Sequence, residues 1–384
     1  MTQRILVIGA GIAGLATAVG LQRRGHDVSI VEERSDTSSG AGISIWPNAL
    51  AALDELGLGD AVRDAGGRVT AGAMRWYDGS WLRQPSPERI VKALGEPLVV
   101  VRRSVLMRLL ADALDDGTIQ TGVAATGLAA TGSGVRITLS DNVTRDVDAV
   151  VGADGVGSVV ARELNGTLNG HYAGYTAWRG VATHALDPRL SGETVGTGTE
   201  FGHVALGPSH TYWFATERGP EGQTAPEGEL AYLRSKYGSW ADPIPALLSS
   251  TDPDDVLRND LYDRDEAQRW SRGPIVLVGD AAHPMRPHLG QGGCQGLEDA
   301  AILAHCLDKV DDPTTAFARF AAARRPRVRA LARESKLIGQ VVNVRPAFIS
   351  ALAMRASSLV PEAVLTRHLA SVAARSAFVL PDVT

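Results

Sequence analysis

The pattern of apolar and polar residues at the start of the chain alternates between strand and helix signals. Residues 4–8 form a short apolar run that is typical of a buried parallel strand. A helical pattern covers residues 15–24, and Gly25 stands where a helix commonly ends. Residues 26–31 have the pattern of a second strand, with Glu32 at its end. This order of strand, turn, helix, strand and acid predicts a βαβ unit.

The turn of this unit has the spacing Gly-x-Gly-x-x-Gly. Gly9 permits the tight turn, Gly11 lets a pyrophosphate approach the backbone, and Gly14 lets the helix pack closely on the strand. The N-terminus of the helix offers free N–H groups to the phosphates. Glu32 is placed to accept hydrogen bonds from ribose hydroxyls. The unit predicts dinucleotide binding, and its pattern alone does not separate NAD from FAD.

Strand and helix signals continue to alternate through the first half of the chain. They predict a loop, a helix that begins at Pro47, a strand, a helix and two further strands, at residues 40–46, 47–57, 99–101, 105–114, 135–139 and 147–151. Ser104 is placed to cap the helix at 105–114. The last strand leads into a second small-residue turn, Gly-Ala-Asp-Gly at 152–155.

The middle of the chain has a different composition and pattern, with frequent aromatic residues and short segments in which apolar and polar residues alternate. It predicts antiparallel strands at residues 74–82, 175–183, 203–206 and 211–216. We interpret these strands as an inserted sheet that carries a substrate pocket. Most of the aromatic residues are expected to form the core of that sheet.

A strand at 276–278 then leads to Gly279 and Asp280, followed by a glycine-rich corner at 287–294 and a helix. Such a shape places an acid, bare backbone N–H groups and a helix N-terminus against one polar ligand. A nucleotide signature also stands at the other end of the chain. The two signatures together predict one large cofactor that both ends of the sequence bind.

The C-terminal part predicts helices. Residues 319–336 have a helical pattern that we expect to be interrupted near Pro326. Residues 346–378 predict further helices whose Ala and Leu face packs on the body of the protein rather than on lipid. From Thr314 onward ten Arg and one Lys face three acids, a net charge of +8, so the rest of the chain carries −13. We expect the arginines to pair with that acidic body rather than to bind nucleic acid.

Bulk composition fits a soluble globular protein, since the 384 residues carry a net charge of −5 and 44% are hydrophobic. Cys294 and Cys306 lie on one predicted helix, so they form neither a disulfide framework nor a metal site, and they favour a reducing compartment. The apolar run at 5–21 is explained by the βαβ unit rather than by a signal peptide. We find no stretch of the length that a membrane span needs. The expectation is a cytoplasmic protein with no metal.

Taken together, these motifs resemble those of the FAD-dependent aromatic monooxygenases, the group A flavoprotein monooxygenases with the p-hydroxybenzoate hydroxylase fold. The resemblance rests on Gly9, Gly11 and Gly14 with Glu32, on residues 152–155 with Ser158, and on residues 279–293. It implies an α/β fold, in which a Rossmann-like FAD-binding domain holds an inserted, mostly antiparallel β-sheet substrate domain and is followed by C-terminal helices. The sequence of the glycine-rich corner is similar to that of urate hydroxylases, salicylate hydroxylases and zeaxanthin epoxidases.

The resemblance implies interleaved domains. The expected FAD-binding parts are 1–72, 103–171 and 273–340, the substrate-domain parts are 73–102 and 172–272, and the C-terminal helices are 341–384. It implies FAD as the cofactor and NADH or NADPH as a transient co-substrate without a domain of its own. The residues it places at FAD are Gly9, Gly11, Gly14, Glu32, Ser44, Arg103, Val123, Asp154, Asp280, Pro287, Gly290, Gly292 and Gly293.

The implied reaction inserts one oxygen atom of O₂ into a phenol-like aromatic or heteroaromatic molecule through a flavin 4a-hydroperoxide. Candidate catalytic residues are His203 and Tyr212, both on predicted pocket strands. Arg179 is expected either to bind an anionic substrate or to pair with an acid, and His283 to brace the Gly-Asp turn. The partners are the aromatic substrate, O₂ and NAD(P)H, with no nucleic acid and no membrane span, for a monomer or homodimer.

Several alternatives stay open. The reaction is alternatively a reduction of isoprenoid-type double bonds or the inactivation of a tetracycline-type antibiotic. A flavin-binding protein without activity is a further alternative. The halogenase motif Trp-x-Trp-x-Ile-Pro is absent from the sequence. Urate hydroxylases carry an Arg near the position of His203, which argues against urate, whereas salicylate-, hydroxybenzoate- and quinolone-type substrates remain.

Overall fold

The computed structural model describes residues 1–35, 41–132 and 134–383. Its strands are β1 Arg4–Ile8, β2 Asp27–Glu32, β3 Gly42–Ile45, β4 Gly67–Val69, β5 Ala73–Trp76, β6 Trp81–Arg83, β7 Leu98–Arg102, β8 Ile119–Thr121, β9 Ala125–Ala130, β10 Val135–Leu139, β11 Thr144–Val147, β12 Ala149–Gly152, β13 Gly170–Ala182, β14 Gly192–Gly196, β15 Thr199–Ala205, β16 Thr211–Arg218, β17 Leu257–Arg264, β18 Ser271–Arg272 and β19 Ile275–Leu277.

The helices are α1 Ile12–Gln22, α2 Pro47–Glu55, α3 Gly59–Ala65, α4 Pro87–Leu94, α5 Arg103–Ala111, α6 Val159–Asn165, α7 Glu229–Tyr237, α8 Ile244–Ser249, α9 Gly292–Lys309, α10 Pro313–Val342, α11 Ala347–Ser357 and α12 Glu362–Ala373. Short 3-10 turns occur at Pro188–Leu190, Pro253–Asp255, Gly279–Ala281, Pro287–Leu289 and Arg375–Ala377.

The first large sheet has the strand order β18-β19-β12-β1-β2-β8 and is parallel except for the pairing of β18 with β19. Ile8 at the end of β1 pairs with Gly152 at the end of β12, and Gly152 pairs with Leu277 at the end of β19. The carboxyl ends of these three strands therefore meet at one edge. This edge is where parallel α/β sheets bind ligands.

The second large sheet has the order β17-β13-β16-β15-β14-β5-β6, and only the β14–β5 pairing among its described strands is parallel. The back face of this sheet carries Phe201 and Trp213, which pack with α7 and α8. The opposite, front face carries Val181 and Tyr212, which pack with residues of β4 and β7. The mostly antiparallel insertion implied by the family resemblance is confirmed.

Two local expectations are wrong. The loop expected at 40–46 is strand β3 in its described part, because residues 42–45 pair with β7; Gly40 lies outside the described residues. Ser104 does not cap a helix, because α5 already begins at Arg103, directly after β7, and Arg102 holds the cap position. The chain turns from strand to helix without an intervening loop at this point.

Helix α10 runs through Pro326 without the expected interruption. A proline inside a helix removes one backbone hydrogen bond. Here Arg324 and Val328, on either side of the proline, are buried in the interior. Tertiary packing on both sides of the proline therefore maintains the helix.

The arginines of the C-terminal part pair with acids of the body, as expected. Arg324 and Arg327 bind Glu298, and Arg375 binds Asp54. The expectation that the C-terminal helices turn their apolar face to the body is correct for the C-terminal end of α12, where Val372 and Ala373 are buried, and wrong for its start, where Val364 and Leu365 are exposed. It is wrong for the large apolar side chains of α11, which are exposed.

No single helix in the described residues is both long enough and apolar enough to cross a bilayer. Pro313–Val342 and Ala347–Ala356 reach the required length and apolarity only as a pair, and the two are bent by 118° relative to each other.

Candidate active site

The first glycine-rich turn forms one end of the site. Gly9 has a φ of +104°, and a Cβ there would lie 2.4 Å from the carbonyl oxygen of Ala153. A Cβ on Gly14 would lie 2.0 Å from the carbonyl oxygen of Gly9, whereas a Cβ on Gly11 would meet no atom within 4 Å. Gly9 and Gly14 therefore serve the fold of the turn, and Gly11 faces open space at the N-terminus of α1.

Glu32 fixes the same turn from the end of β2. Its Oε2 accepts a hydrogen bond from the amide of Ala10 at 2.7 Å, and its Oε1 accepts one from the amide of Arg34 at 3.0 Å. The carboxylate is thus oriented beside the turn, with one charge available to the hydroxyls of a ribose.

A cleft of about 390 Å³ joins this turn to other parts of the sequence. It is lined by Ile8, Gly9, Ala10, Gly11, Val31, Glu32, Glu33, Arg34, Arg103, Met107, Val123, Ala124, Ala125, Ala153, Asp154, Gly155, Val156, Gly157 and Val159. The structure therefore brings together Gly9, Gly11, Glu32, Arg103 and Val123, which the sequence analysis places at FAD.

Asp154 lines the cleft but its carboxylate is directed elsewhere. One oxygen accepts from the hydroxyl of Ser158 at 2.5 Å, and the other accepts from the amide of Val159 at 2.7 Å. Burial raises the pKa of Asp154 against these hydrogen bonds. The side chain thus holds the start of α6, and its backbone forms the wall of the cleft.

The turn with Asp280 follows β19 at the same edge of the sheet. The guanidinium of Arg264 donates to the carbonyl oxygens of Val156, Asp280 and Ala281, at 3.2, 3.2 and 2.9 Å. Arg264 thereby ties the Asp280 turn to the turn after β12. No sequence motif indicates a role for Arg264, because its partners are backbone carbonyls.

Asp280 is crowded by protein atoms and yet keeps exposed surface, so it borders an interior cleft. Crowding raises the pKa of its carboxyl, and the positive charges of His283, Arg103 and Arg264 oppose that rise. Because Arg103 also lines the cleft described above, Asp280 continues the same site from its other end.

His283 braces the Asp280 turn, as expected from the sequence. Its Nε2 lies 2.6 Å from Oδ2 of Asp299, and the amide of Gly279 donates to the same oxygen at 2.9 Å. The His283 and Asp299 side chains are almost completely buried. The pair fixes the turn and leaves the side chain of Asp280 to face the cleft.

The glycine-rich corner lies where the second large sheet meets α9. Gly290 has a φ of +61°, and a Cβ there would lie 2.9 Å from Nε1 of Trp46. A Cβ on Gly293 would lie 2.9 Å from Ile43 of β3. Ser44 is on the same strand, and its carbonyl accepts from the thiol of Cys294. The corner thus brings Gly290, Gly293 and Ser44 close together.

Two other residues expected at this corner, Pro287 and Gly292, do not make the close contacts that Gly290 and Gly293 make. Pro287 opens the 3-10 turn and is exposed. Gly292 is the first residue of α9 and has ordinary contact with Met285. Both belong to the corner by position, since the turn and the helix start form it.

Indole Nε1 of Trp46 is covered by protein atoms and finds no hydrogen-bond partner within the described part of the protein, so its N–H does not serve a ligand in the cleft. The open space at Gly11 and the oriented carboxylate of Glu32 line the cleft. Arg103 lines it as well and acts on the charge of Asp280. These residues fit FAD, with its adenosine end beside Gly11 and Glu32.

A buried polar network holds the start of α9. Asn48 donates to Oε1 of Gln291 at 2.9 Å and to Oε1 of Glu298 at 2.6 Å. Arg324 donates to Glu298 at 2.5 Å and to Asp299 at 2.7 Å. The adjacent acids in an otherwise apolar helix were the sequence signal for this network, but their partner Arg324 lies too far along the chain for a motif to reveal it.

The two residues expected to be catalytic lie on opposite faces of the sheet. In the β15–β16 pairing His203 is opposite Trp213, whereas Tyr212 is opposite Val204. His203 is therefore on the back face, where its Nε2 lies 3.1 Å from the hydroxyl of Thr194. Burial lowers the pKa of His203 to about 3, so the ring is neutral.

Tyr212 is on the front face and packs against β3, since a Cβ on Gly42 would lie 2.5 Å from its ring. Burial raises the pKa of Tyr212, and the charge of Arg179 opposes that rise. Arg179 itself donates to Oδ1 of Asn259 at 3.2 Å. Of the two candidates, the structure brings only Tyr212 to the side that faces the corner.

The front face also carries acids that the sequence analysis missed. Glu200 Oε1 accepts from the hydroxyl of Thr216 at 2.9 Å and lies 3.4 Å from Nδ1 of His288 in the corner. Nε2 of His288 lies 2.8 Å from the hydroxyl of Tyr175 on β13. The side chains of Glu200 and His288 are 6% and 2% exposed, so this contact joins sheet and corner in the interior.

Glu193 lies on the same face, because it pairs with Gly202 while Glu200 pairs with Val195. It keeps part of its surface open although protein atoms crowd around its carboxyl. Crowding and the negative charge of Glu200 raise the pKa of Glu193 to about 8. The strict alternation of β14 and β15 was the signal that could have placed both acids on this face.

Comparison with known proteins agrees with this geometry. A family model described as an FAD binding domain matches residues 2–335. The chain is 35% identical over 347 residues to the aurachin C monooxygenase/isomerase of Stigmatella aurantiaca, covering 90% of this chain and 91% of that protein. It is 31% identical over 335 residues to the FAD-dependent urate hydroxylase of Klebsiella pneumoniae, covering 85% and 87%.

Among solved structures, Klebsiella pneumoniae HpxO complexed with FAD and uric acid superposes with a TM-score of 0.89 and 27% identity, covering 96% of each chain. The family model spans most of the chain, and the relatives are named monooxygenases and hydroxylases that use FAD. This chain therefore belongs to the family of FAD-dependent monooxygenases, and it is an enzyme that uses FAD.

Proposed function

We propose that this enzyme adds one oxygen atom from O₂ to a small nitrogen-containing aromatic ring that carries a hydroxyl or N–H group. NADH or NADPH is the proposed reductant. The observation that carries the proposal is the partly exposed carboxyl of Glu193 on the front face, beside Glu200 and its contact with His288 in the glycine-rich corner. This carboxyl is an acceptor for the N–H or hydroxyl of a ring, close to the corner where the family resemblance places the flavin.

Bound FAD supplies the oxygen chemistry, and the side chains supply binding and proton transfer. Glu193 is the proposed base for a ring hydroxyl, because a pKa near the working pH suits a group that accepts and returns a proton. Tyr212 orients the ring from β16, two strands away from Glu193 in the sheet, and the apolar contacts of that face exclude water. His203 has no part in the proposal, since it lies on the back face.

The relatives support this substrate class. One is named a urate hydroxylase, and another is the 3-amino-4-hydroxybenzoate 2-monooxygenase of Streptomyces cremeus, 33% identical over 346 residues. Each name describes a ring with hydroxyl or nitrogen donors. His203 does not face the corner, so the presence of His instead of Arg near this position no longer counts against urate as a substrate.

The proposal places the enzyme in the cytoplasm as a monomer or homodimer. Both cysteines are free and buried, which fits a reducing compartment. Burial raises the pKa of the Cys294 thiol to about 12, so it stays protonated beside the corner.

The test is a panel of hydroxylated aromatic and nitrogen-heteroaromatic rings, screened for stimulated NAD(P)H oxidation and for product mass in ¹⁸O₂. A product heavier by one labelled oxygen supports the function. Stimulated oxidation without labelled product, or reduction of an alkene without O₂ uptake, contradicts it. In the same assay Glu193→Gln and Tyr212→Phe lower the coupled rate, whereas Glu221→Gln, a change of the same chemistry on the exposed loop after β16, leaves it unchanged.

A further inference from the structure

Exposed large apolar side chains are concentrated in one part of the chain, from the end of α10 to the start of α12. Of the sixteen exposed large hydrophobic residues in the described chain, nine lie between residues 337 and 365. We call this set the apolar patch; it consists of Leu337, Val341, Phe348, Ile349, Leu352, Leu359, Val360, Val364 and Leu365. Scattered exposed hydrophobic residues are ordinary, whereas a concentration of this kind marks an interaction surface.

Helix α11 shows the arrangement most clearly. Phe348 and Leu352, one helical turn apart, are each 67% exposed. The side facing the body carries smaller residues, with Ser350 buried and its hydroxyl donating to the carbonyl of Val342. Helix α11 therefore turns its bulky apolar side outward, the reverse of an ordinary surface helix.

The charge of the segment is also unusual. Residues 335–365 contain Lys336, Arg345 and Arg355, which are exposed, and a single acid, Glu362, which lies 3.5 Å from Arg89. Lys336 lies 3.1 Å from Asp263, and the guanidinium of Arg355 lies 4.6 Å from the centre of the Trp76 ring. The patch is thus apolar with an excess of cations.

The composition of the apolar patch distinguishes between two possible binding partners, a second copy of the chain and a lipid surface. In a symmetric dimer the patch would meet its own copy, so that three cations from each side would face each other with only one acid, Glu362, on each side to offset them. An anionic lipid surface satisfies both properties, because it accepts apolar side chains at its boundary and attracts Lys and Arg. The lipid surface is therefore the occupant that the charge favours.

Length fits a helix that lies on the surface rather than across it. The eleven residues of α11 extend about 17 Å at 1.5 Å per residue, well short of the roughly 30 Å of a bilayer core. We infer that residues 337–365 dock this enzyme on an anionic lipid surface, with Phe348 and Leu352 inserted at the boundary and Lys336, Arg345 and Arg355 near the headgroups.

The patch adjoins the edge of the substrate sheet. A Cβ on Gly198, in the turn between β14 and β15, would lie 3.5 Å from Cβ of Ala347. Arg355 stacks on Trp76 of β5, the strand beside β14. Docking itself does not depend on the oxygenation chemistry, whereas delivery of a lipid-dissolved ring to Glu193 at this edge rests on the proposed function.

The experiment is flotation of the full-length, FAD-loaded protein with vesicles of phosphatidylcholine alone and of phosphatidylcholine mixed with phosphatidylglycerol. We expect binding to the anionic vesicles that weakens as salt is raised. Phe348→Ser with Leu352→Ser lowers the bound fraction at least about tenfold, since each exposed side chain contributes apolar burial at the boundary. Arg345→Glu lowers it as well, and circular dichroism confirms the fold of each variant.

Val143→Ser is the matched control, because Val143 is also exposed but lies in a distant hairpin; its binding stays at the wild-type level. Absence of wild-type binding to anionic vesicles at low salt overturns the inference. So does equal binding by the Phe348/Leu352 double variant. A dimer in sedimentation velocity that this double variant dissociates, with no vesicle binding, makes the patch an interface between copies. None of these readouts uses turnover, so failure here leaves the proposed function standing.

Discussion

The guanidinium of Arg324 donates to Oδ1 of Asp299 at 2.7 Å, and the two side chains are 2% and 0% exposed. The other oxygen of Asp299 holds His283 and the amide of Gly279. One buried carboxylate therefore links the long C-terminal helix α10 to the turn that presents Asp280. Stability of the fold and geometry of the Asp280 turn depend on the same contact.

Replacement of Arg324 by Met is expected to destabilise the protein by about 3–5 kcal/mol, because it removes the buried cation that Glu298 and Asp299 share and leaves two buried carboxylates with fewer partners. Urea unfolding of the apoprotein measures this change. Arg333→Met is the control, since Arg333 is an exposed arginine on the same helix. Equal stability of the two variants would show that the buried pair contributes nothing.

Alanine substitutions in the first glycine-rich turn are expected to separate folding from cofactor binding. Gly14→Ala brings a Cβ to 2.0 Å from a backbone oxygen and destabilises the apoprotein by about 3 kcal/mol or more. Gly11→Ala meets no protein atom within 4 Å, so the apoprotein keeps its stability to within about 0.5 kcal/mol. The FAD affinity of Gly11→Ala nevertheless falls at least about tenfold, because the pyrophosphate approaches there.

Thermal unfolding of the apoproteins and titration with FAD measure the two effects. Unchanged FAD affinity in Gly11→Ala would contradict the placement of the pyrophosphate. A stable Gly14→Ala apoprotein would contradict the close packing of α1 on the turn.

Trp46→Phe is expected to stabilise the apoprotein by about 1 kcal/mol, because it removes a buried N–H that has no partner among the described residues. Protein atoms cover this N–H, so a ligand in the cleft cannot reach it, and the FAD affinity is expected to stay within about twofold of the wild-type value. Calorimetry with and without FAD measures both effects. A destabilised variant with weakened FAD binding would contradict this expectation.

Sequence and structure agree where the signal is local. Glu32 and the turn that begins at Gly9 need only the spacing of a βαβ unit, and Gly9, Gly11 and Glu32 do line one cleft. His203 was placed wrongly, because adjacent residues of a strand point to opposite faces and the sequence does not show which face is covered. Arg264 and Arg324 were missed because their partners are far away in the chain.

Burial and the charge of Glu200 raise the pKa of Glu193 to about 8, compared with an ordinary value of 4.5. Between these two values the folded protein holds a proton that the unfolded chain has lost. Stability therefore decreases as the pH rises from about 4.5 towards 8. Glu193→Gln removes the titrating carboxyl and therefore also removes the decrease in stability with rising pH. We expect the stability of the variant relative to the wild type to increase by at least about 1.4 kcal/mol as the pH rises from about 5 to about 8, the equivalent of one pKa unit.

Urea unfolding of both proteins across this range measures the gain, with Glu221→Gln as the exposed control that shows none. The same substitution also tests the proposed base, because Gln cannot accept the proton of a ring hydroxyl. If Glu193 is the base, the coupled rate of the wild type rises with pH through about 8, and Glu193→Gln loses both the rate and this rise. A variant whose stability profile changes while its rate and pH profile remain those of the wild type would leave Glu193 as a buried carboxyl without a catalytic role.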